Sequence, residues 1–155
     1  MIYRKALKSD FPSIISLIQE SVYASCSMDY TLLQLIAWVP GRFDSVKFEN
    51  SLFGCFNLVA LENNEIVGFI SVSTEGYINR LFTKSTFQHR GIATRLLDEA
   101  EKWAISIGID CFTLDSSITA KGFYLKRGFV EEGKSIIKRN NIGLDAILMK
   151  KPLRR

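Results

Sequence analysis

The residues best suited to chemistry stand together at 88–93, Gln-His-Arg-Gly-Ile-Ala, between an extended apolar segment at 77–83 and an amphipathic segment at 94–107. A turn that delivers Gly91 and Ala93 to the mouth of a helix leaves several backbone N–H groups without helical partners. They point to one spot at the positive end of the helix dipole. Such a turn binds a diphosphate without needing a lysine. Gly91 and Ala93 are small, so the chain can come within hydrogen-bond distance of an anion, while Gln88 and Arg90 offer further donors. Gln88, His89, Arg90, Gly91, Ile92 and Ala93 are thus the expected phosphate cradle.

Other chemistries find less support. His89 is the only histidine, and its place in the turn suits it to offering a backbone N–H with its ring in solvent, not to acting as a base. Cys26, Cys55 and Cys111 have no local context that would pair one of them with His89 as a nucleophile. Ser116 and Ser117 are not framed by G-x-S-x-G. Neither G-x-x-x-x-G-K-[ST] nor G-x-G-x-x-G occurs, which weakens any nucleotide-dependent reading.

The elements that must position the turn follow from periodicity. Residues 1–6 predict a first strand, and Ser9-Asp10 with Pro12 predicts the start of a helix whose stripe is Phe11, Ile14, Ile15, Ile18 and Val22. A second helix is expected at 31–38, capped by Thr31 and stopped by Pro40-Gly41, with Leu33 and Ile36 in the core; a short third follows at 45–51. Residues 58–61 and 66–72 flank a polar connection at 62–65 and predict a β-hairpin. The strand at 77–83 leads through the turn into the long helix, which Gly108 ends in a left-handed cap before a strand at 109–115. Two further strands, 129–138 and 144–150, flank a turn at 140–143. The chain therefore reads as strand-rich α/β, or α+β, with antiparallel strands at both ends and one parallel crossover through the long helix.

With 155 residues and 47% hydrophobic composition, the expectation is one domain spanning 1–155. Three widely spaced cysteines suggest neither a disulfide framework nor a zinc site, and read as buried small apolar residues in a reducing compartment. No cleavable signal pattern or bilayer-length apolar run is seen, so a cytoplasmic protein without membrane attachment is expected. The net charge of +4 is scattered, which suits a ligand with several phosphates as well as it suits nucleic acid; no nucleic-acid partner is expected.

The order strand, Q-x-x-G-x-A, helix resembles the acyl-coenzyme A binding motif of the GCN5-related N-acetyltransferases (GNAT family). Residues 120–129, Ala-Lys-Gly-Phe-Tyr-Leu-Lys-Arg-Gly-Phe, look like that family's second signature, a short helix with an aromatic pair closed by Gly-Phe. The spacing leaves room for one helix and one strand, and the likeness covers residues 2–153. Tyr30, Gln34 and Ala37-Trp38, with the run 115–120, are most like its YafP-like branch.

The resemblance implies the acyl-CoA N-acyltransferase fold, a mixed, mostly antiparallel sheet flanked by helices, and acetyl-CoA as cosubstrate with no metal. The strand before the cradle would splay from its neighbour, so that Leu81, Phe82 and Thr83 hold the pantetheine arm while 88–94 hold the diphosphate. Acetyl transfer to an amine needs a neutral nucleophile, a dipole on the developing oxyanion and a proton for the thiolate. Tyr124, protonated at neutral pH with an ordinary phenol pKa near 10, stands where many relatives place the acid. Glu20, Asp29, Glu75 and Asn79 are the candidates facing the acceptor, and none is assigned as base, because Asn79 stands where related chains carry an acid. Tyr30, Trp38 and Phe43 would line an aromatic acceptor site. The implied reaction is acetyl transfer to a primary amine, of a small molecule, by direct attack in a ternary complex. A peptide or protein amine, or a coenzyme-binding module without catalysis, is the alternative; homodimers are common in the family.

Overall fold

The computed structural model describes residues 1–39 and 44–154. Along these residues run β1 (Ile2–Lys5), α1 (Phe11–Ser25), α2 (Leu32–Trp38), α3 (Ser45–Leu52), β2 (Phe56–Glu62), β3 (Glu65–Val72) and β4 (Ile78–Thr83). After β4 come α4 (Ile92–Ser106), β5 (Cys111–Ser117), α5 (Lys121–Lys126), β6 (Val130–Arg139) and β7 (Ile142–Pro152). The strands form two antiparallel sheets, ordered β1-β2-β3-β4 and β5-β7-β6. One parallel bridge, between Tyr77 and Thr113, joins them. Beyond it β4 and β5 part, and the parallel crossover through α4 opens a cleft between the sheets.

The β2–β3 and β6–β7 hairpins turn on asparagine pairs. Asn63 and Asn64, and Asn140 and Asn141, all have positive φ between 50° and 65°, the two-residue turn whose twist matches that of its strands. Ile142 and Gly143 are therefore already part of β7, which makes the second turn shorter than the four residues expected.

The first sheet buries both faces. On one, α4 lays down Ile92, Leu96, Leu97, Ala100 and Ala104 against Ile70 and Val72, and Phe112 of β5 joins the same cluster. On the other, Ile14, Ile18 and Val22 of α1 meet Val59 and Phe69. Gly68 sets the spacing of α4: a Cβ there would lie 2.7 Å from Ile92 Cγ2 and 3.0 Å from Leu96 Cδ1.

Four sequence expectations need correction or fall outside these residues. Leu33 and Ile36 are exposed, at 63% and 46%, and the buried side of α2 is Leu35 and Ala37. A two-turn helix apolar on most sides cannot select its own core face; docking on β7, with Gln34 Nε2 donating to the Gly143 carbonyl at 3.0 Å, selects it. Asp10 does not cap α1 with its side chain. Its carboxylate instead accepts from the Leu7 amide at 2.7 Å and pairs with Arg4 at 2.7 Å. Only Cys26 is buried; Cys55 and Cys111 are half-buried. Pro40-Gly41 and Phe43 lie outside the described residues, whereas Thr31 caps α2 by accepting from Gln34 N–H at 3.1 Å.

Candidate active site

The cleft between the diverging strands has a volume of about 1250 Å³ and is walled by α1, α2, β4, the start of α4, β5, α5 and the tips of β6 and β7. At one end Gly91 precedes α4 with φ 81°, a left-handed conformation that favours glycine, and an added Cβ would enter open space. The first helical bond of α4 is Arg95 N–H to the Gly91 carbonyl. No amide from Gly91 to Thr94 donates to any group among the described residues, so the start of α4 leaves a set of free donors on the cleft. Gly68 fixes where those donors sit, because it lets Ile92 approach β3.

The expected cradle residues divide by role. Ile92 is buried and contributes backbone alone. The Gln88 side chain crosses to α1, Nε2 donating to Ser25 Oγ at 2.9 Å. Arg90 stacks on Phe87 at 4.7 Å from the ring centroid and reaches Glu62 at 3.9 Å. His89 is exposed and sits at φ 63°. The Thr94 hydroxyl accepts from Arg127 Nε at 3.1 Å, which ties α4 to α5.

Along β4 the backbone alternates. Lys84 N–H donates to the Val67 carbonyl, so in an antiparallel ladder Phe82 and Arg80 also bond β3, while Leu81 and Thr83 turn their N–H and C=O groups away, toward the cleft. Ser21 Oγ donates to the Thr83 carbonyl at 3.0 Å, and the buried Thr83 Oγ1 has no partner. An open strand edge followed by a ring of free amides and an orphaned hydroxyl fits an arm that carries amides and ends in a diphosphate.

Tyr124 projects from α5 into the same cleft. It is 4% exposed, set edge-on between Phe123 and Phe129 at centroid distances of 5.3 and 5.1 Å. Its hydroxyl has no hydrogen-bond partner among the described residues. Burial pushes its pKa above the ordinary phenol value, which keeps it a proton donor.

Residues expected at the acceptor end are less uniform. Tyr30 is buried, and its hydroxyl donates to the Asp145 carbonyl at 2.6 Å and accepts from Ile118 N–H at 2.9 Å, bolting the segment that leads into α2 to the second sheet. Trp38 meets Tyr30 edge-on at 5.5 Å and lines the cleft. Asn79 lines it from a bulge in β4, where Ser71 pairs with Arg80 and Val72 with Ile78. Glu20 is engaged elsewhere, accepting from Ser85 N–H at 2.8 Å and Ser85 Oγ at 2.5 Å. Asp29 accepts from the Thr119 hydroxyl at 2.6 Å, and Glu75 lies outside the cleft lining.

The sequence reading passed over Asp115. This residue lines the cleft, with Oδ2 accepting from Tyr77 OH at 2.6 Å and Oδ1 from Ser135 Oγ at 2.9 Å. Burial, then the bond to Asp115, raises the Tyr77 pKa to about 12, so the phenol stays protonated and orients the carboxylate. The available signal was a lone charged residue in a strand whose other residues are apolar or carry only hydroxyls. Among the described residues no group of three His, Cys, Asp or Glu side chains could hold a metal ion, and no helix is long and apolar enough to cross a membrane.

This geometry agrees with the comparisons to known proteins. Residues 42–153 match the family model described as an acetyltransferase (GNAT) domain. The chain is 32% identical over 120 residues to the uncharacterised N-acetyltransferase YafP of Escherichia coli K12, covering 77% of this chain and 75% of that one. A GCN5-related N-acetyltransferase from Rhodopseudomonas palustris superposes with a TM-score of 0.94 at 29% identity, covering 98% and 95% of the two chains. The PaiA N-acetyltransferase of Thermoplasma acidophilum, in complex with coenzyme A, shares the fold with a TM-score of 0.79 at 23% identity over 97% and 98%. The chain belongs to the GNAT family of acetyltransferases and is an acetyl-CoA-dependent acyltransferase.

Proposed function

We propose that residues 1–155 form one cytoplasmic domain that transfers acetyl from acetyl-CoA to the primary amine of a small molecule, by direct attack with both substrates bound. The observation that carries this is the meeting, in one cleft, of free amides at the start of α4, the open edge of β4 and the unpartnered Tyr124 hydroxyl. The coenzyme supplies an activated acetyl group and a thiolate leaving group. The amides of Gly91 to Thr94 would hold its diphosphate, and the outward groups of Leu81 and Thr83 its arm and the thioester carbonyl. Asp115 receives the incoming ammonium and, directly or through water, one of its protons. As the N–C bond forms and the C–S bond breaks, Tyr124 gives its proton to the sulfur and regains one from the newly bonded nitrogen. Trp38 and Tyr30 wall the acceptor space, and Asn79 lines its floor. Three free thiols suit a reducing compartment.

Asp115 also weighs against a module that binds the coenzyme without catalysis, since a carboxylate is present although Asn79 lacks one. Thiol release from acetyl-CoA tests the reading across small amines and short peptides. Release that depends on a small amine is expected. Peptide-only turnover would move the assignment to a protein acceptor, and coenzyme binding with no amine-dependent release in any arm would reduce the protein to a binder.

A further inference from the structure

The acceptor half of the cleft carries cationic charge that has no carboxylate partner among the described residues. Arg80 projects from β4 on the face turned away from α4. It is half-buried there, with its guanidinium 4.8 Å from the Phe48 ring centroid. Arg139 ends β6 on the face that carries Ser135 and Ile137. Both line the cleft. Among the described residues neither has a carboxylate within 4.0 Å, and the hydrogen bond that Arg139 makes is to the neighbouring Lys138 carbonyl at 3.2 Å. Burial holds the Arg80 pKa below its ordinary value, opposed by the nearby Cys55 thiol and aided by the Arg139 charge. A partly desolvated guanidinium beside a second one is an unfavourable arrangement until an anion joins it.

Of the two acidic residues that line the cleft, Asp145 pairs with the exposed Ile136, and strand alternation sends its side chain to the outer face; its carbonyl is what Tyr30 bonds. Asp115 is thus the carboxylate of the acceptor space. Two hydroxyls hold it, and among the described residues no cationic side chain lies within 4.0 Å of it. A carboxylate has about four lone-pair sites, so room remains for an ammonium. The Tyr77 hydroxyl, which bonds Asp115, also feels the Arg139 charge, so a negative and a positive group both line the same cleft.

Building on the transferase reading above, we propose that the acceptor is a primary amine that also carries an anionic group, a carboxylate or a phosphate. Asp115 takes the ammonium, and Arg80 with Arg139 takes the anion.

Acceptors that differ in one group test this: O-phosphoethanolamine and β-alanine against ethanolamine and propylamine, in thiol release from acetyl-CoA. A charge-assisted contact should raise kcat/KM of the anionic members at least about tenfold over the neutral ones. That ratio should fall toward one in Arg139→Gln, on the exposed end of β6, and in Arg80→Gln. Preference for the phosphate compound identifies the anion as phosphate, and preference for β-alanine as a carboxylate; either supports the proposal. A wild-type ratio of one or less, or a ratio unchanged in both variants, overturns it. A second readout needs no turnover: the arginine Nε–H resonances of isotope-labelled, CoA-saturated protein, titrated with the same four compounds. Saturable shifts of the Arg80 and Arg139 signals are expected with the anionic pair alone, and their absence overturns the proposal. Shifts without amine-dependent thiol release would keep the anion site and sink the transferase reading instead.

Discussion

Replacing Gly91 with alanine and with glutamate separates two roles that one residue combines. At φ 81° any other L-residue is strained, which costs about 1–2 kcal/mol. For a chain of this size that corresponds to a loss of about 2–8 °C in Tm. No further steric cost arises, because an added Cβ meets nothing within 4 Å. Both variants should therefore lose similar stability in urea titration. Coenzyme affinity should not fall equally. A glutamate side chain enters the open space beside the free amides, and a charge about 4 Å from the diphosphate at an effective dielectric near 20 costs about 4 kcal/mol. That is roughly a thousandfold in Kd. Calorimetry with coenzyme A on both variants measures the difference. A glutamate variant that binds within about threefold of the alanine variant would refute the placement of the diphosphate at Gly91, however unstable both proteins were.

Three other outcomes are expected. Tyr124→Phe removes a hydroxyl that bonds nothing among the described residues, so stability should change by less than about 1 kcal/mol, while kcat falls by roughly 10 to 1,000-fold at unchanged coenzyme affinity; full activity would return Tyr124 to packing. Gly68→Ala puts a methyl 2.7 Å from Ile92 Cγ2, so the first turn of α4 must move. Urea titration should show a loss of about 1–3 kcal/mol, with weaker coenzyme binding, and a neutral result would contradict the close approach of α4 to β3. Asp10→Asn removes the Arg4 pair: the bond from Arg4 holds the Asp10 carboxyl below its ordinary pKa, so its stabilisation is present above the unfolded-chain value and is lost as pH falls through the folded one. Because Arg4 is 35% exposed, the gap to wild type at neutral pH should be only about 1 kcal/mol. It should close in acid, and a gap that widens there would be the contrary result.

How much was legible from the chain varied with the range of the interaction. The Asn63-Asn64 hairpin, the Thr31 cap and the left-handed Gly108 depend on neighbours a few residues away, and residue type at fixed spacing reports such neighbours directly. Asp10 misled because two short-range partners compete for one carboxylate, and Arg4, six residues back on β1, won it from the helix amides. Leu33 and Ile36 misled because a short helix apolar all round contains no record of which side its neighbours take.

By itself the sequence determined the turn of free amides, since Gly91 at the mouth of a strongly amphipathic helix needs nothing distant to expose its donors. It determined the aromatic helix that presents Tyr124, and the alternation of strands. Only the tertiary structure decided what faces these groups. Tyr77 and Ser135 stand 38 and 20 residues from Asp115, and Arg80 and Arg139 lie on different sheets. Their convergence depends on where β4 and β5 part, a property of the packed sheets that no local spacing encodes.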